Sequence, residues 1–506
     1  MFKEYNRHQD FLLPASASDF IEPGDLVNII AEIVDSFDIT PFRSRYEPLG
    51  PNAYNPHMML GLLFYAYSQG VFSSRKIAER VRYDLRFMFI AGYQHPDFRT
   101  ISDFRKNNID LLQGYFKQIV LLCRKLGLLA LRTIAIDGTK IKANASTDRV
   151  KDRDELSRQM DAVEDEIARM LSLAQVTDDN EDESLDSDSD QHSRIKDLQD
   201  LRDKLRKAQT ILDDNPRRNN VNLTDPDCRI MKSVGSGYNA QLAVDEKNGI
   251  IVATDVVDDV NDLHQLMPMI DEVESVTESK GEPKTVLADA GYATAKAYTE
   301  LESHPYVRAY VPSKEDTQHQ RKEPPPFDKS RFTLDAETGT GMCPLGQPMR
   351  FLRKAKNMSG QHYLHFVGTA CPKCARRSEC TKVKYRNVSM LCASPVIEQM
   401  NKRMQTPMGR QAMAIRKRTV EPVIGILKEQ LGFRQFRLRG IKKVKGEFAL
   451  LCSAFNLKKI HQLLGGLSVN QAMLVMETEF EAIITPIWRF LCPLELLRIQ
   501  FRFQKV

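Results

Sequence analysis

The chain of 506 residues lacks any apolar run approaching the ~18–20 residues that cross a bilayer as a helix, which argues against a helical membrane protein. Its first eleven residues, MFKEYNRHQDF, lack the apolar stretch of a secretory signal. Cysteine is scarce as well: nine residues, unevenly placed, are too few for the disulfide scaffold of a secreted domain. The expectation is a cytoplasmic protein with reduced thiols and no membrane partner. A strong net charge is also missing, but the value of +5 is the remainder of two unequal regions. Residues 178–190 hold eight acids and no base, whereas residues 410–460 hold thirteen Lys/Arg against three Glu. A basic half this concentrated points to a polyanionic partner.

With 42% hydrophobic and 27% charged residues the chain has ordinary cores, and its length implies about two to four domains. Residues 23–128 follow helical spacing, as in Leu26, Ile29, Ile30 and Ile33 and again in Met59, Leu62, Leu63 and Ala66. Ser73 is placed to cap a helix through Arg75, Lys76 and Arg80, and Thr100 or Ser102 to cap the next. Short helices with many arginines and tight turns suggest a helix-turn-helix-like unit over residues 1–128 that could lie on DNA, a plain helical bundle being the other reading.

The pattern changes at residues 131–142, a β-branched run through Ile134 and Ile136 that predicts a buried strand presenting Asp137 at its carboxyl end. Residues 148–220 interrupt it. Leu156, Met160, Val163, Ile167, Met170 and Leu171 mark one amphipathic helix, and Ile195, Leu198, Leu201, Leu205 and Ile211 mark another. The acidic run between them is too charged to pack and is expected to be unstructured. Residues 238–245 and 249–256 predict a hairpin turning at Asn248-Gly249, and residues 261–266 the opening of a helix. Residues 285–292 then repeat the earlier logic, a buried strand ending in Asp289. Three antiparallel strands, a helix, a strand, a helix and a strand compose a mixed sheet with helices on its faces, so the fold class is α/β.

A second interruption spans 313–395. Cys371 and Cys374 form a CxxC, and with Cys343 and Cys380 they can place four thiolates on one structural Zn²⁺. Reduced thiols in a small β insertion are the alternative. Helices are expected from 396 to 460, followed by an apolar tail, 465–506, with Trp488, Leu496 and Leu497, suited to the core or to a second protomer.

Asp137, Asp289 and Glu421 share a context: two acids end strands and the third sits on a late helix. Mg²⁺ favours hard oxygen ligands, and two such ions can clamp the attacking and leaving oxygens of a phosphoryl transfer. Three carboxylates so close would otherwise repel. Lys417 and Lys428 lie four and seven residues from Glu421, on one helical face, with Pro422 expected to kink or restart that helix. Beyond it Arg434, Arg437, Arg439, Lys442, Lys443 and Lys445 interleave with Phe433 and Phe436, a track along DNA.

Asp137-Gly138-Thr139-Lys140, Ala288-Asp289-Ala290-Gly291-Tyr292 and the segment Arg416 to Lys428 resemble the three acidic motifs of DDE-class bacterial insertion-sequence transposases. The similarity is greatest to the group with a Cys-bearing insertion before the catalytic Glu, and it runs over roughly residues 40–460. The resemblance implies a ribonuclease-H-like catalytic domain over 129–464, with two insertions. It implies Asp137, Asp289 and Glu421 as catalytic ligands of Mg²⁺ or Mn²⁺. It also implies cleavage at inverted-repeat ends, joining of the 3′-OH to target DNA, and a homodimer in the reacting complex. Lys140, Arg416, Lys417, Arg418, Lys428, Arg434, Arg437 and Arg439 are the expected DNA contacts. The family often has Tyr seven and Arg four residues before the Glu, where this chain has Ala414 and Lys417, so Arg416 or Arg418 is the candidate substitute. Two alternatives remain at this stage: a metal-dependent nuclease without strand transfer, and a zinc-containing DNA-binding protein without catalysis.

Overall fold

A computed structural model describes residues 16–46, 53–178, 185–216, 218–279, 281–313, 325–335, 338–356, 362–391 and 395–475. Seven helices come first: α1 (Leu26–Asp35), α2 (Thr40–Arg43), α3 (Pro56–Ser68), α4 (Ser74–Tyr83), α5 (Leu85–Ile90), α6 (Phe98–Asn107) and α7 (Ile109–Lys125). The Asp25 side chain caps α1, and the periodic Leu26, Ile29, Ile30 and Ile33 are buried as expected. Helix α6 is capped by Asp97 rather than by Thr100 or Ser102. The Asp97 carboxylate accepts the amides of Arg99 and Thr100 at 2.6 and 3.0 Å, and the Thr100 hydroxyl donates to it as well. Ser73 does stand at the start of α4, but its side chain makes no capping bond.

A six-stranded sheet is built from β1 (Thr133–Lys142), β4 (Arg229–Met231), β5 (Gly235–Asp245), β6 (Ile251–Val257), β7 (Thr285–Leu287) and β8 (Arg308–Tyr310). β5 pairs antiparallel with β1, β4 and β6, while β7 runs parallel to β1 and β8 parallel to β7. Helices α10 (Leu266–Thr277) and α11 (Ala295–Ser303) supply the crossovers. The expected succession of three antiparallel strands, a helix, a strand, a helix and a strand is therefore present, and the last two strands prove to be parallel to β1. One detail differs. Asp137 does not end its strand: the ladder with β5 continues from Ile134 opposite Asp245 to Lys142 opposite Gly237, so Asp137 is a mid-strand residue. The hairpin turns at Gly249, whose φ of +68° favours glycine.

Between β1 and β4 the short pair β2 (Val150–Asp152) and β3 (Asn220–Asn222) carries two long helices, α8 (Arg153–Asp178) and α9 (Leu185–Asp214). Leu156, Val163, Ile167, Leu205 and Leu212 form a core of their own there. Residues 179–184 of the acidic run lie outside the described residues, and the run resumes as helix at Leu185 where an unstructured segment was expected. Between β8 and the later helices stands an antiparallel sheet of β9 (Thr333–Leu334), β10 (Thr340–Met342), β11 (Pro348–Lys356), β12 (His362–Gly368) and β13 (Asn387–Leu391), with the one-turn helix α12 (Arg377–Cys380).

Three further helices follow: α13 (Pro395–Gln405), α14 (Pro407–Gly425) and α15 (Ile441–Leu464). The expectation of helix throughout 396–460 fails at residues 431–440. There Gly432 and Gly440 adopt φ of +75° and +85°, and Gln435 bridges to Lys142 at the end of β1. Helix α15 is buried all round from residue 446 to residue 457 and is clasped between α3, α7 and β6. Phe433 and Phe436, expected to line a DNA track, are instead core residues. Their rings continue an edge-to-face series from Tyr67 through Phe72 to Tyr238, with centroids 5.0–5.8 Å apart. Apolar rings gain more from burial than from standing among solvated cations. Trp488, Leu496 and Leu497 lie outside the described residues; nearer residues of the tail, Val469 and Ala472, pack in the core. Among the described residues no helix is long and apolar enough to cross a membrane.

A fully buried carboxylate ties these parts together. Glu447 on α15 accepts the backbone amides of Arg437 and Leu438, both at 2.9 Å, and the Tyr67 hydroxyl of α3 at 3.1 Å. Arg105 of α6, also buried, donates to that hydroxyl at 2.8 Å. Removing the carboxylate leaves a buried guanidinium uncompensated and two buried amides unpaired. Glu447→Ala is expected to lower the unfolding free energy by about 3–5 kcal/mol, read by urea denaturation of the full chain.

Candidate active site

Helix α14 begins where the Thr406 hydroxyl accepts the Gly409 amide and Pro407 takes the first turn. It lies over β1 with Ala412, Val420 and Val423 buried, and this packing sets Arg416 and Glu421 above Asp137. Asp289 follows β7 and caps the turn Ala290–Tyr292 by accepting the Gly291 amide at 2.8 Å. The three predicted acids are therefore brought together, and a guanidinium stands among them. Arg416 Nη2 is 2.8 Å from Asp137 Oδ2 and 4.0 Å from Asp289 Oδ2, and Nη1 is 3.5 Å from Glu421 Oε1. The side chains of Asp137 and Arg416 are only 15% and 11% exposed, whereas Glu421 and Asp289 are nearly half exposed. Arg416 Nε is buried without a hydrogen-bond partner among the described residues. Burial pushes the Asp137 carboxyl up to about 6, Asp289 adding to the rise and Arg416 opposing it.

The other predicted cations divide. Helix α14 runs unbroken through Pro422 and then widens into a π turn, Ile426–Gln430, so it is not restarted at the proline. That turn carries Lys428 to β1, where its ammonium donates to Thr139 Oγ1 at 3.0 Å and to the Lys140 carbonyl at 3.1 Å. Burial lowers its pKa there. Lys140 pairs with Asp262 at 3.2 Å and Arg418 with Glu246 at 2.8 Å, while Lys417 is exposed. Arg434 pairs with Glu429, Arg439 Nε donates to the Asn144 carbonyl at 2.9 Å, and the Arg437 side chain is exposed. Lys445 pairs with Asp255 at 2.6 Å. Of the three bases before Glu421, only Arg416 reaches the carboxylates.

Asp262 escaped the sequence reading. It does not open helix α10, which starts at Leu266. Its Oδ1 accepts from Lys140, from Asn239 Nδ2 and from Gln241 Nε2, the last two at 2.7 Å. The available signal was the acidic stretch Asp255, Asp258, Asp259 and Asp262 directly after a strand.

Cys343, Cys371, Cys374 and Cys380 line one small cavity at the edge of the five-stranded sheet. Two tight turns present them: the Gly346 amide bonds to the Cys343 carbonyl, and the Cys374 amide to the Cys371 carbonyl. The Arg386 amide donates to Cys371 Sγ at 3.4 Å. Burial raises the Cys380 thiol, and the three other thiols act in the same direction. Among the described residues no three Cys, His, Asp or Glu side chains are spaced to close on one ion as they stand.

Residues 342–461 match the family model described as the transposase DDE domain, and residues 15–107 match the one described as the transposase domain DUF772. The first match spans Glu421 and α15; Asp137 and Asp289 lie upstream of it. No curated protein matches the chain. Both matches support a DDE-class insertion-sequence transposase, a DNA-processing enzyme.

The raised Asp137 pKa has a consequence for stability. Above about pH 6 the folded state holds a buried charge that the unfolded chain solvates freely, and below about pH 4 both forms are neutral. Asp137→Asn is therefore expected to be more stable than the wild type by roughly 2–3 kcal/mol at pH 7–8, with the gain shrinking as pH falls through 6 toward 4. Denaturation midpoints measured across that range test the sign.

Proposed function

We propose that Asp137, Asp289 and Glu421 hold the divalent ions of a ribonuclease-H-like active site. On this reading the enzyme cleaves the inverted-repeat ends of its element and joins the freed 3′-hydroxyl to target DNA. The observation that carries the reading is the gathering of three carboxylates, from β1, the turn after β7 and α14, around a single guanidinium. The donor set suits Mg²⁺ or Mn²⁺: all three ligands are hard oxygens, and among the described residues Arg416 is the cation paired with all three. Two bound ions would supply Lewis acidity to the attacking and leaving oxygens of an in-line displacement.

The protein's own groups do the rest. Asp137 holds its ligand oxygens rigidly because it stands mid-strand. Arg416, freed from the carboxylates, turns its guanidinium to the phosphate flanking the scissile bond. Lys428 uses two of its three N–H groups on β1 and keeps the third for a phosphate oxygen. Lys140 exchanges Asp262 for DNA in the same way as Arg418 exchanges Glu246. Lys417, Arg434, Arg437 and Arg439 continue the contact along the backbone, and the exposed Arg75, Lys76, Arg82 and Arg99 of the N-terminal helices hold the element end. Cleavage puts a water oxygen on phosphorus and releases the 3′-hydroxyl; joining puts that hydroxyl on a target phosphorus and releases a target 3′-oxygen. Two ends must meet for this, so the reacting complex is a homodimer on double-stranded DNA.

Replacement of Asp137, Asp289 or Glu421 by Ala is expected to abolish cleavage of end-bearing DNA, with DNA affinity in a mobility-shift titration kept within about threefold. A precleaved end supplied to the wild type is expected to appear covalently joined to target plasmid. Nicking without joined product would favour a nuclease instead.

The four thiols are the donor set of a structural zinc ion, which would draw them closer together than they stand: they share one cavity, two of them are presented by CxxC, and a backbone amide already donates to one sulfur. Metal analysis of the purified chain is expected to give one zinc per protomer, and none after Cys371→Ser with Cys374→Ser. A zinc-free wild type would reject the assignment.

A further inference from the structure

A buried polar network lies on the far side of the sheet from Arg416, and of its members the proposed chemistry uses only Lys140, as a DNA contact. Opposed residues of an antiparallel pair share a face, so Gly138 with Gln241 and Lys140 with Asn239 stand on one face, and Asp137 with Leu242 on the other. Asp262 reaches that first face from the loop before α10. Its Oδ1 accepts from Lys140 at 3.2 Å on β1, and from Asn239 and Gln241 at 2.7 Å on β5. The Gln241 amide continues the chain: its Oε1 accepts the hydroxyl of Tyr292, which ends the turn that Asp289 begins. Asn239, Gln241 and Tyr292 are completely buried.

Two glycines register how closely the network approaches the catalytic strands. A Cβ on Gly138 would stand 2.5 Å from both Asp262 Oδ1 and Gln241 Nε2. A Cβ on Gly291 would stand 2.8 Å from Asp289 Oδ1 and 3.5 Å from Asp262 Oδ2. Gly138 directly follows Asp137 and Gly291 lies two residues after Asp289, so neither position carries a side chain where Asp262 approaches it. The loop that carries Asp262 is itself held: the Gln265 amide donates to the Asp262 carbonyl at 3.1 Å, and Asn239 Nδ2 to the Asn261 carbonyl at 3.4 Å.

We propose that Asp262 is a positioning residue for the metal-holding pair: through Gln241 and Tyr292 on one side and Lys140 on the other, it sets the spacing between Asp137 and Asp289. The proposal rests on the reading of those two aspartates as metal ligands. Groups that orient ligands in this way typically govern metal affinity by about 10–100-fold. What Asp262 contributes is an acceptor oxygen for two buried amides, so an asparagine, which keeps an acceptor there, serves in part.

The test is Mn²⁺ binding by the full-length protein without DNA, read from the electron paramagnetic resonance signal of the free ion. Asp262→Ala and Tyr292→Phe are each expected to weaken binding about 10-fold or more, while Asp262→Asn stays within about threefold of the wild type. Cleavage by Asp262→Ala is expected to recover at saturating Mn²⁺, because the loss lies in holding the ion. A residue with a merely structural role would lower the melting temperature and leave Mn²⁺ affinity unchanged below it. Tyr292→Phe carries the test should Asp262→Ala fail to fold. Wild-type affinity in both variants overturns the proposal, and so does an equal loss in Asp262→Asn and Asp262→Ala, which would make the charge itself the requirement. Wild-type affinity in Asp137→Ala and Asp289→Ala would instead remove the metal-ligand reading beneath it.

Discussion

Three carboxylates held around one guanidinium form the arrangement to which the surrounding structure is fitted. Each buried negative charge loses hydration, and each raises the cost of the next, so no flexible chain would gather them unaided. The sheet provides the compulsion. Asp137 is fastened by backbone pairing with Leu242 of β5, two residues beyond the last β1–β7 pair, Asp289 is fixed by the turn it caps, and Glu421 rides a helix anchored through Val420 and Val423. Arg416 offsets part of the repulsion and leaves the burial of Asp137 only partly compensated. The site is thus strained electrostatically rather than sterically, which accords with the cation-holding role proposed for it.

The same logic operates at the join between the helical and sheet portions. Glu447 is buried as deeply as any apolar residue, yet its oxygens are satisfied by amides of residues 437–438 and by Tyr67. The irregular stretch after Glu421 therefore owes its course to a helix on one side and to the N-terminal helices on the other. Phe72 against Phe433 adds an apolar contact at the same seam. A rigid seam here keeps the exposed arginines of α4 and α6 in fixed relation to the carboxylates.

Much of this was legible in the sequence because it rests on periodicity. The helical spacing of Leu26 to Ile33, the Asn-Gly hairpin and the two aspartates beside buried strands all carry local signatures. What was not legible depends on distant partners. Phe433 and Phe436 sit among arginines in the sequence and in a core in space, since rings from three other elements meet them there. Lys428 leaves its expected face because a π turn, invisible to a 3.6-residue count, intervenes. Asp262 looks like the acid that opens a helix. Only the pairing of β1 with β5 shows that Asn239, Gln241 and Gly138 leave a place for its carboxylate.

Helix α15 is the last long element of the described chain, and it fills the gap between α3, α7 and β6. During synthesis the earlier helices must wait, with apolar faces uncovered, until residues 441–464 arrive. A chain that stopped upstream of that point would leave the large cluster shared by the N-terminal helices and the six-stranded sheet open to water, while the core between α8 and α9 could still close.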